Sequence, residues 1–123
     1  LNNNIDYTPK IISSFSSGGF EVNHTYDGNL ETFWSSADES SWVSYELNSK
    51  LDKTLLEINW RNPNAALYEY KLMVSENNSD WIEAARDSTN GKKSLYTLEN
   101  VKYFRIYSIG KRPIEISEVI IHE

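Results

Sequence analysis

From Trp42 onward the side chains of this chain alternate with a period of two. Residues 42–47 set Val43, Tyr45 and Leu47 against Ser44 and Glu46, and residues 68–75 set Tyr68, Tyr70, Leu72 and Val74 against Glu69, Lys71 and Ser75. Successive Cβ atoms of an extended backbone point to opposite faces, so each row reads as a strand with one buried face. Similar runs predict strands over residues 54–60, 80–84, 94–98, 101–107 and 114–122, separated by clusters of Asn, Ser, Gly, Asp and Pro. Residues 83–86 offer the one helical turn, which the run Asp-Ser-Thr-Asn-Gly ends at once. Short strands at such spacing imply an all-β sandwich or barrel. With no internal repeat or linker, residues 1–123 read as a single domain, long enough to bury a core without disulfide or metal staples.

Composition narrows the function classes. The chain is 39% hydrophobic and 24% charged, which is the balance of a folded globular protein. A net charge of −6 argues against nucleic acid as a partner, because phosphate-backbone binding needs a basic face. The absence of cysteine removes disulfides, thiolate metal sites and cysteine nucleophiles together. No apolar run approaches the roughly 18 residues of a membrane span, so no membrane insertion is expected. The start, LNNNIDYTPK, carries neither Met nor a signal-like segment, and the expectation is a module of a longer polypeptide.

If successive strands are antiparallel, the loops over residues 35–41, 61–67, 85–93 and 108–113 fall at one end of the domain, and those over 48–53, 76–79 and 99–100 at the other. The first end holds Arg61, Arg86, Lys92, Lys93, Lys111 and Arg112, half of the 12 basic residues, against Asp38, Glu39 and Asp87. Such an end in an acidic protein would attract an anionic ligand, such as a sialylated, sulfated or uronate-containing glycan; charged loops are also what any soluble domain displays.

Two features bear on a metal. In HTYDGNLETFW, residues 24–34, Asp27-Gly28 is a strong turn signal, while Asp27, Asn29, Glu31 and Thr32 also place several hard oxygens close together, as Ca²⁺ requires. An EF-hand is excluded, because glycine is misplaced and the flanks have no helical period. In residues 114–122, Ile114, Ile116, Glu118 and Ile120 share a face if the strand is regular, so a carboxylate interrupts an apolar row. A bulge that frees Glu118, or a bound cation, would each resolve that. No GxSxG, HExxH or P-loop motif is present, and the two histidines, His24 and His122, read as polar residues; nothing positive points to catalysis. The tryptophans sit in strand rows and read as core, and Trp60, Tyr68 and Tyr107 are the aromatics placed to flank the basic end.

Taken in order, Ser13-Ser14, Asp27-Gly28-Asn29, Thr32-Phe33-Trp34-Ser35-Ser36, the row 42–47, Ile58-Asn59-Trp60, the row 70–75, Asp80-Trp81, residues 102–106 and residues 116–120 resemble the discoidin or coagulation-factor type C domain. The bacterial relatives of that domain are the family 32 carbohydrate-binding modules. The resemblance implies an antiparallel jelly-roll β-sandwich whose ligand loops cluster at one end. It also implies a structural Ca²⁺ held by Asp27, Thr32 and Glu118, with Asn29 and the main chain near His24. Ser35 stands where galactose-binding relatives place a His, which argues against a galactose preference. The lack of a closing disulfide favours a bacterial-type module. Arg61, followed by Asn62 and Asn64, matches the Arg that relatives supply after the Ile-x-Trp strand.

The resulting expectation is a secreted or cell-surface, non-catalytic module that holds a parent catalytic domain on a glycan. Asp38, Arg61, Asn62, Asn64 and Tyr68 would contact the sugar, with Lys111 and Arg112 at the rim. The alternative is a protein-binding adhesion or structural module of the same fold.

Overall fold

A strand of 19 residues laid out straight runs about 60 Å. A chain of 123 residues packs to a radius of gyration of only about 14 Å, so a strand of that length has to bend. The computed structural model describes residues 10–13, 25, 33–36, 41–61 and 67–122. Its seven strands are β1 (Lys10–Ser13), β2 (Trp34–Ser35), β3 (Trp42–Trp60), β4 (Tyr68–Ser75), β5 (Ile82–Thr89), β6 (Ser94–Ser108) and β7 (Glu115–His122). Every pairing is antiparallel, in the order β2-β7-β3-β6-β4-β5 with β1 on β3.

The two long strands bend together. β3 and β6 pair from Trp42↔Tyr107 to Ile58↔Ser94, with a register shift between Glu46 and Leu51. Before the shift β3 also pairs β1, and after it β7. The hydrogen-bonded sheet therefore folds over at this corner into two layers of an all-β sandwich. Trp60, at the far end of β3, meets Tyr68 and Tyr70 of β4 at ring-centroid distances of 5.4 and 4.7 Å, although β3 and β4 are not neighbours in the sheet. Between the layers lie Trp34, Val43, Tyr45, Leu56, Ile58, Leu72, Phe104, Ile106, Ile114, Ile116 and Val119, all fully buried. Each such side chain contributes about 1.5–3 kcal/mol by leaving water.

Bending corrects several sequence expectations. Residues 48–53 and 99–100 are corners inside continuous strands, not chain reversals. They do lie together at one end with the 76–81 turn, where Lys50 pairs with Glu76 at 3.2 Å. Because β3 doubles back, its two ends, Trp42 and Trp60, reach the opposite end together. Residues 83–86 are strand and not helix: pairing with β4 overrides local propensity. A shift from Leu72↔Ala85 to Met73↔Glu83 leaves Ala84 extra, and Glu83 pairs with Arg86 at 2.7 Å. Arg86 thus belongs to the middle of β5 and drops out of the basic end. With β5 running to Thr89, the expected loop 85–93 shrinks to a turn over 90–93 in which Gly91 takes a φ of 107°, a conformation that favours glycine.

The last strand is irregular too. Asn59 faces Glu118 while Trp60 faces Ile116, so Ser117 is the extra residue of a bulge. Val119, opposite Ile58, continues the core row after Ile116, and Glu118 does not interrupt it. Yet Glu118 is only 7% exposed.

Candidate functional site

Three connections meet at the end to which β3 returns. The segment at 33–36 is tied to the β6–β7 connection by Ser36 N–H to the Ile114 carbonyl (3.0 Å) and by Ile114 N–H to Ser36 Oγ (2.8 Å). That connection is tied in turn to β4 by Ile109 N–H to the Glu69 carbonyl, 3.1 Å, and to the residue before β3 by Ser108 N–H to the Ser41 carbonyl, 2.9 Å. Gly110 is required here by close approach, since a Cβ would stand 2.7 Å from Glu69 Oε1 and 3.0 Å from Glu69 Cβ.

Arg61 is held on three sides. Its backbone N–H donates to the Glu115 carbonyl at 3.0 Å, its Nη1 donates to Glu115 Oε2 at 2.9 Å, and its guanidinium lies 4.0 Å over the ring of Phe33. The other carboxylate oxygen of Glu115 accepts from the Tyr68 hydroxyl at 2.9 Å. Tyr68 stacks on Trp60, whose indole N–H donates to Ser94 Oγ at 3.1 Å. Ser94 Oγ also accepts from the Tyr70 hydroxyl, 2.9 Å, and Tyr70 meets the Tyr96 hydroxyl at 2.6 Å. Burial pushes both phenols to higher pKa than an ordinary tyrosine, so they stay neutral donors. A chain of aromatic and hydroxyl contacts thus fixes the root of an arginine whose side chain is 51% exposed.

Two hollows are found among these connections, and Arg61 lines the smaller one. An open groove of about 920 Å³ is lined by Leu67, Glu69, Ile109, Gly110, Lys111, Arg112 and Pro113. It combines an apolar ledge, in which Leu67 is 52% exposed, with a carboxylate and two cations. A smaller concavity of about 300 Å³ is lined by Asn59, Trp60, Arg61, Gly91, Lys92, Lys93 and Ser117. Apolar edges beside convergent polar groups suit a ligand that carries both C–H faces and hydroxyls.

The expected site residues divide accordingly. Arg61, Lys111 and Arg112 stand at this end, exposed. Tyr68 does not serve as a contact: it is 1% exposed, because its ring is packed under Trp60, and its role passes to Glu115 and Arg61. Asp38, Asn62 and Asn64 lie outside the described residues, as do His24, Asp27, Asn29 and Thr32. Sequence reasoning missed Glu115 and Phe33. Glu115 lies in the row that marked the last strand and Phe33 in a motif that marked only the resemblance, and neither signal named the cross-layer partner.

Glu118 stands in a second constellation. Among the described residues no group of three or more His, Cys, Asp or Glu side chains is placed to hold a metal. The buried Tyr45 hydroxyl donates to Thr25 Oγ1 at 2.6 Å, and Thr25 is itself fully buried. Burial raises the Tyr45 pKa most, and the negative charge of Glu118 raises it further. Glu118 is therefore within electrostatic reach of the Tyr45 hydroxyl that bonds Thr25. The donors contributed by such a pairing, carboxylate, hydroxyl and carbonyl oxygens, are the hard set that Ca²⁺ takes.

The chain matches the F5/8 type C domain over residues 10–119. Among solved structures it is similar to a pectin binding carbohydrate binding module, with 21% identity and a TM-score of 0.79 over 96% of this chain and 93% of that one. It is similar to the CBM32 of AlyQ in complex with 4,5-unsaturated mannuronic acid, with 20% identity and a TM-score of 0.80 over 96% of each chain. A third is the family 32 CBM of NanJ from C. perfringens in complex with galactose, with 17% identity and a TM-score of 0.76 over 94% of this chain and 93% of that one. No curated protein matches. At these identities the likeness establishes the fold.

Proposed function

The chain belongs to the F5/8 type C domain family, and from that premise we propose that it is a non-catalytic carbohydrate-binding module. The observation that carries this reading is that one end of the fold presents both an open groove, with an exposed leucine ledge and the cations Lys111 and Arg112, and the guanidinium of Arg61 fixed by Glu115 and Phe33. A guanidinium held in place hydrogen-bonds sugar hydroxyls without first losing rotamer freedom. Asp38, Asn62 and Asn64 follow from the family resemblance as further contacts. The carbohydrate-binding neighbours support the same reading.

A shallow groove gives weak affinity per site, which suits a module that gains avidity through a parent protein. We assign to that parent a glycan-active catalytic domain and a secreted or cell-surface location. No helix among the described residues is long and apolar enough to cross a membrane. Ca²⁺ would be held by Glu118 with Asp27, Asn29, Thr32 and the main chain at His24. Bound there, it would cross-link the early loop to the last strand. The nearness of Glu118 to Thr25 through Tyr45 supports this assignment.

A glycan microarray probed with the folded module tests the function. Binding that is lost in Arg61→Ala, with an unchanged circular dichroism spectrum, is the expected result. Absence of binding to every glycan by the folded wild type overturns it.

A further inference from the structure

The smaller hollow, which Arg61 lines, has a different chemistry from the groove. Three cations, Arg61, Lys92 and Lys93, line about 300 Å³ together with Asn59, Trp60, Gly91 and Ser117, and no carboxylate is among the lining residues. This happens in a protein of net charge −6. Arg61 spends one of its five N–H donors on Glu115. Among the described residues neither lysine forms an ion pair. Lys93 does act on one carboxylate, Glu57, whose pKa is lowered first by the Asn59 amide and more weakly by His122 and Lys93. That carboxylate is engaged by Asn59 Nδ2 at 3.0 Å and His122 Nε2 at 3.4 Å. Asp87 borders the adjoining hollow on the other side of the lysines.

The turn that carries the lysines is fixed. Gly91 N–H donates to Thr89 Oγ1 at 3.2 Å, and that hydroxyl donates to the Lys92 carbonyl at 3.0 Å. The positive φ of Gly91 completes the reversal. The three lining cations leave a net positive hollow at the small end of the range of ligand pockets, about 300–1,000 Å³, which suits one sugar ring and not a chain. The planar fork of a guanidinium matches a carboxylate, and an ammonium adds a point charge. Asn59 and Ser117 offer amide and hydroxyl groups to the ring hydroxyls.

We propose that this hollow is a carboxylate subsite, in which Arg61 with Lys92 and Lys93 receives the acid group of a uronate residue of a longer glycan. The inference rests on the glycan-binding reading and deepens it: the module selects acidic over neutral polysaccharide. Long-range attraction by the same three charges also speeds encounter with a polyanion and weakens with salt.

Calorimetric titration with tetragalacturonate and tetramannuronate, each against its carboxyl-reduced counterpart, tests this. Wild type should bind at least one uronate tetramer about tenfold more tightly than the reduced form, equivalent to about 1.4 kcal/mol. In Lys92→Gln/Lys93→Gln the ratio should fall towards one. In Lys50→Gln/Lys53→Gln, which makes the same change in charge at the other end, it should persist. Equal binding of acid and reduced forms by wild type overturns the subsite and leaves the carbohydrate-binding reading standing. An equal fall of the ratio in both lysine pairs overturns its location. If neither tetramer pair binds, the subsite is overturned, and the microarray decides the broader function separately.

Discussion

Ser94 is a small, half-buried residue at the start of β6, and replacing it with alanine should cost far more than its position suggests. Its Oγ is the acceptor for the Trp60 indole N–H, 3.1 Å, and for the Tyr70 hydroxyl, 2.9 Å. Tyr70 keeps Tyr96 at 2.6 Å, so that loss is partial. Trp60 is 5% exposed, and its N–H would be left in the core without an acceptor. An unsatisfied buried donor costs about 1–3 kcal/mol and a weakened hydroxyl bond about 0.5 kcal/mol, so Ser94→Ala should lose about 2 kcal/mol. A domain of this size loses about 4 °C per kcal/mol, which puts the drop in Tm near 8 °C. Ordinary surface substitutions stay within about 0.5 kcal/mol. Urea unfolding followed by tryptophan fluorescence measures the change, with m expected to stay constant. In a Trp60→Phe background the indole donor is gone, and Ser94→Ala should then cost about 1 kcal/mol less. A loss under about 0.5 kcal/mol with no coupling to Trp60 would refute the reasoning. Trp60 also stacks on Tyr68 and lines the lysine hollow, so the variant should bind glycan more weakly as well.

Three further outcomes can be checked. Ca²⁺ added over chelator should raise the wild-type Tm, and Asp27→Ala or Glu118→Gln should abolish the rise, since a ligand bound only by the folded state stabilises by mass action; a rise that survives both substitutions places the ion elsewhere. Gly110→Ala drives a methyl group against Glu69, so we expect a loss of about 1–3 kcal/mol by thermal melting together with weaker glycan binding, the Glu69 side chain being able to swing but its Cβ not. The Glu57 carboxyl sits below its ordinary pKa of 4.5, held there by Asn59, so its contribution to stability is full above that pH and is lost as pH falls through the lowered value. Glu57→Gln should therefore flatten the stability profile below pH 4.5, and an unchanged profile would show that the contact is not made in solution.

Strand identity was readable along most of the chain, because alternation of apolar and polar residues is a local signal: Val43, Tyr45 and Leu47, or Tyr68, Tyr70 and Leu72, face inward as their rows require. The family pattern likewise came from the order of short motifs. Local signals misled where pairing outweighs propensity, as at residues 83–86, and where a strand bends without ending, as at 48–53. At β7 a regular period would have put Glu118 in the core row, and the single extra residue Ser117 moved it out.

The amino-acid sequence alone was enough for the all-β class, the family resemblance and, Arg86 apart, a set of basic residues at one end. All of these depend on residue type at short spacing. What the tertiary structure decided is which distant residues act on one another. Glu115 joins Tyr68 to Arg61, Phe33 supports the guanidinium, and the turn at Gly91 brings Lys92 and Lys93 to the same hollow. The physical reason is that a folded-over sheet sets cross-layer neighbours by its bends and bulges, and a one-residue bulge changes those neighbours without altering the pattern on either side of it.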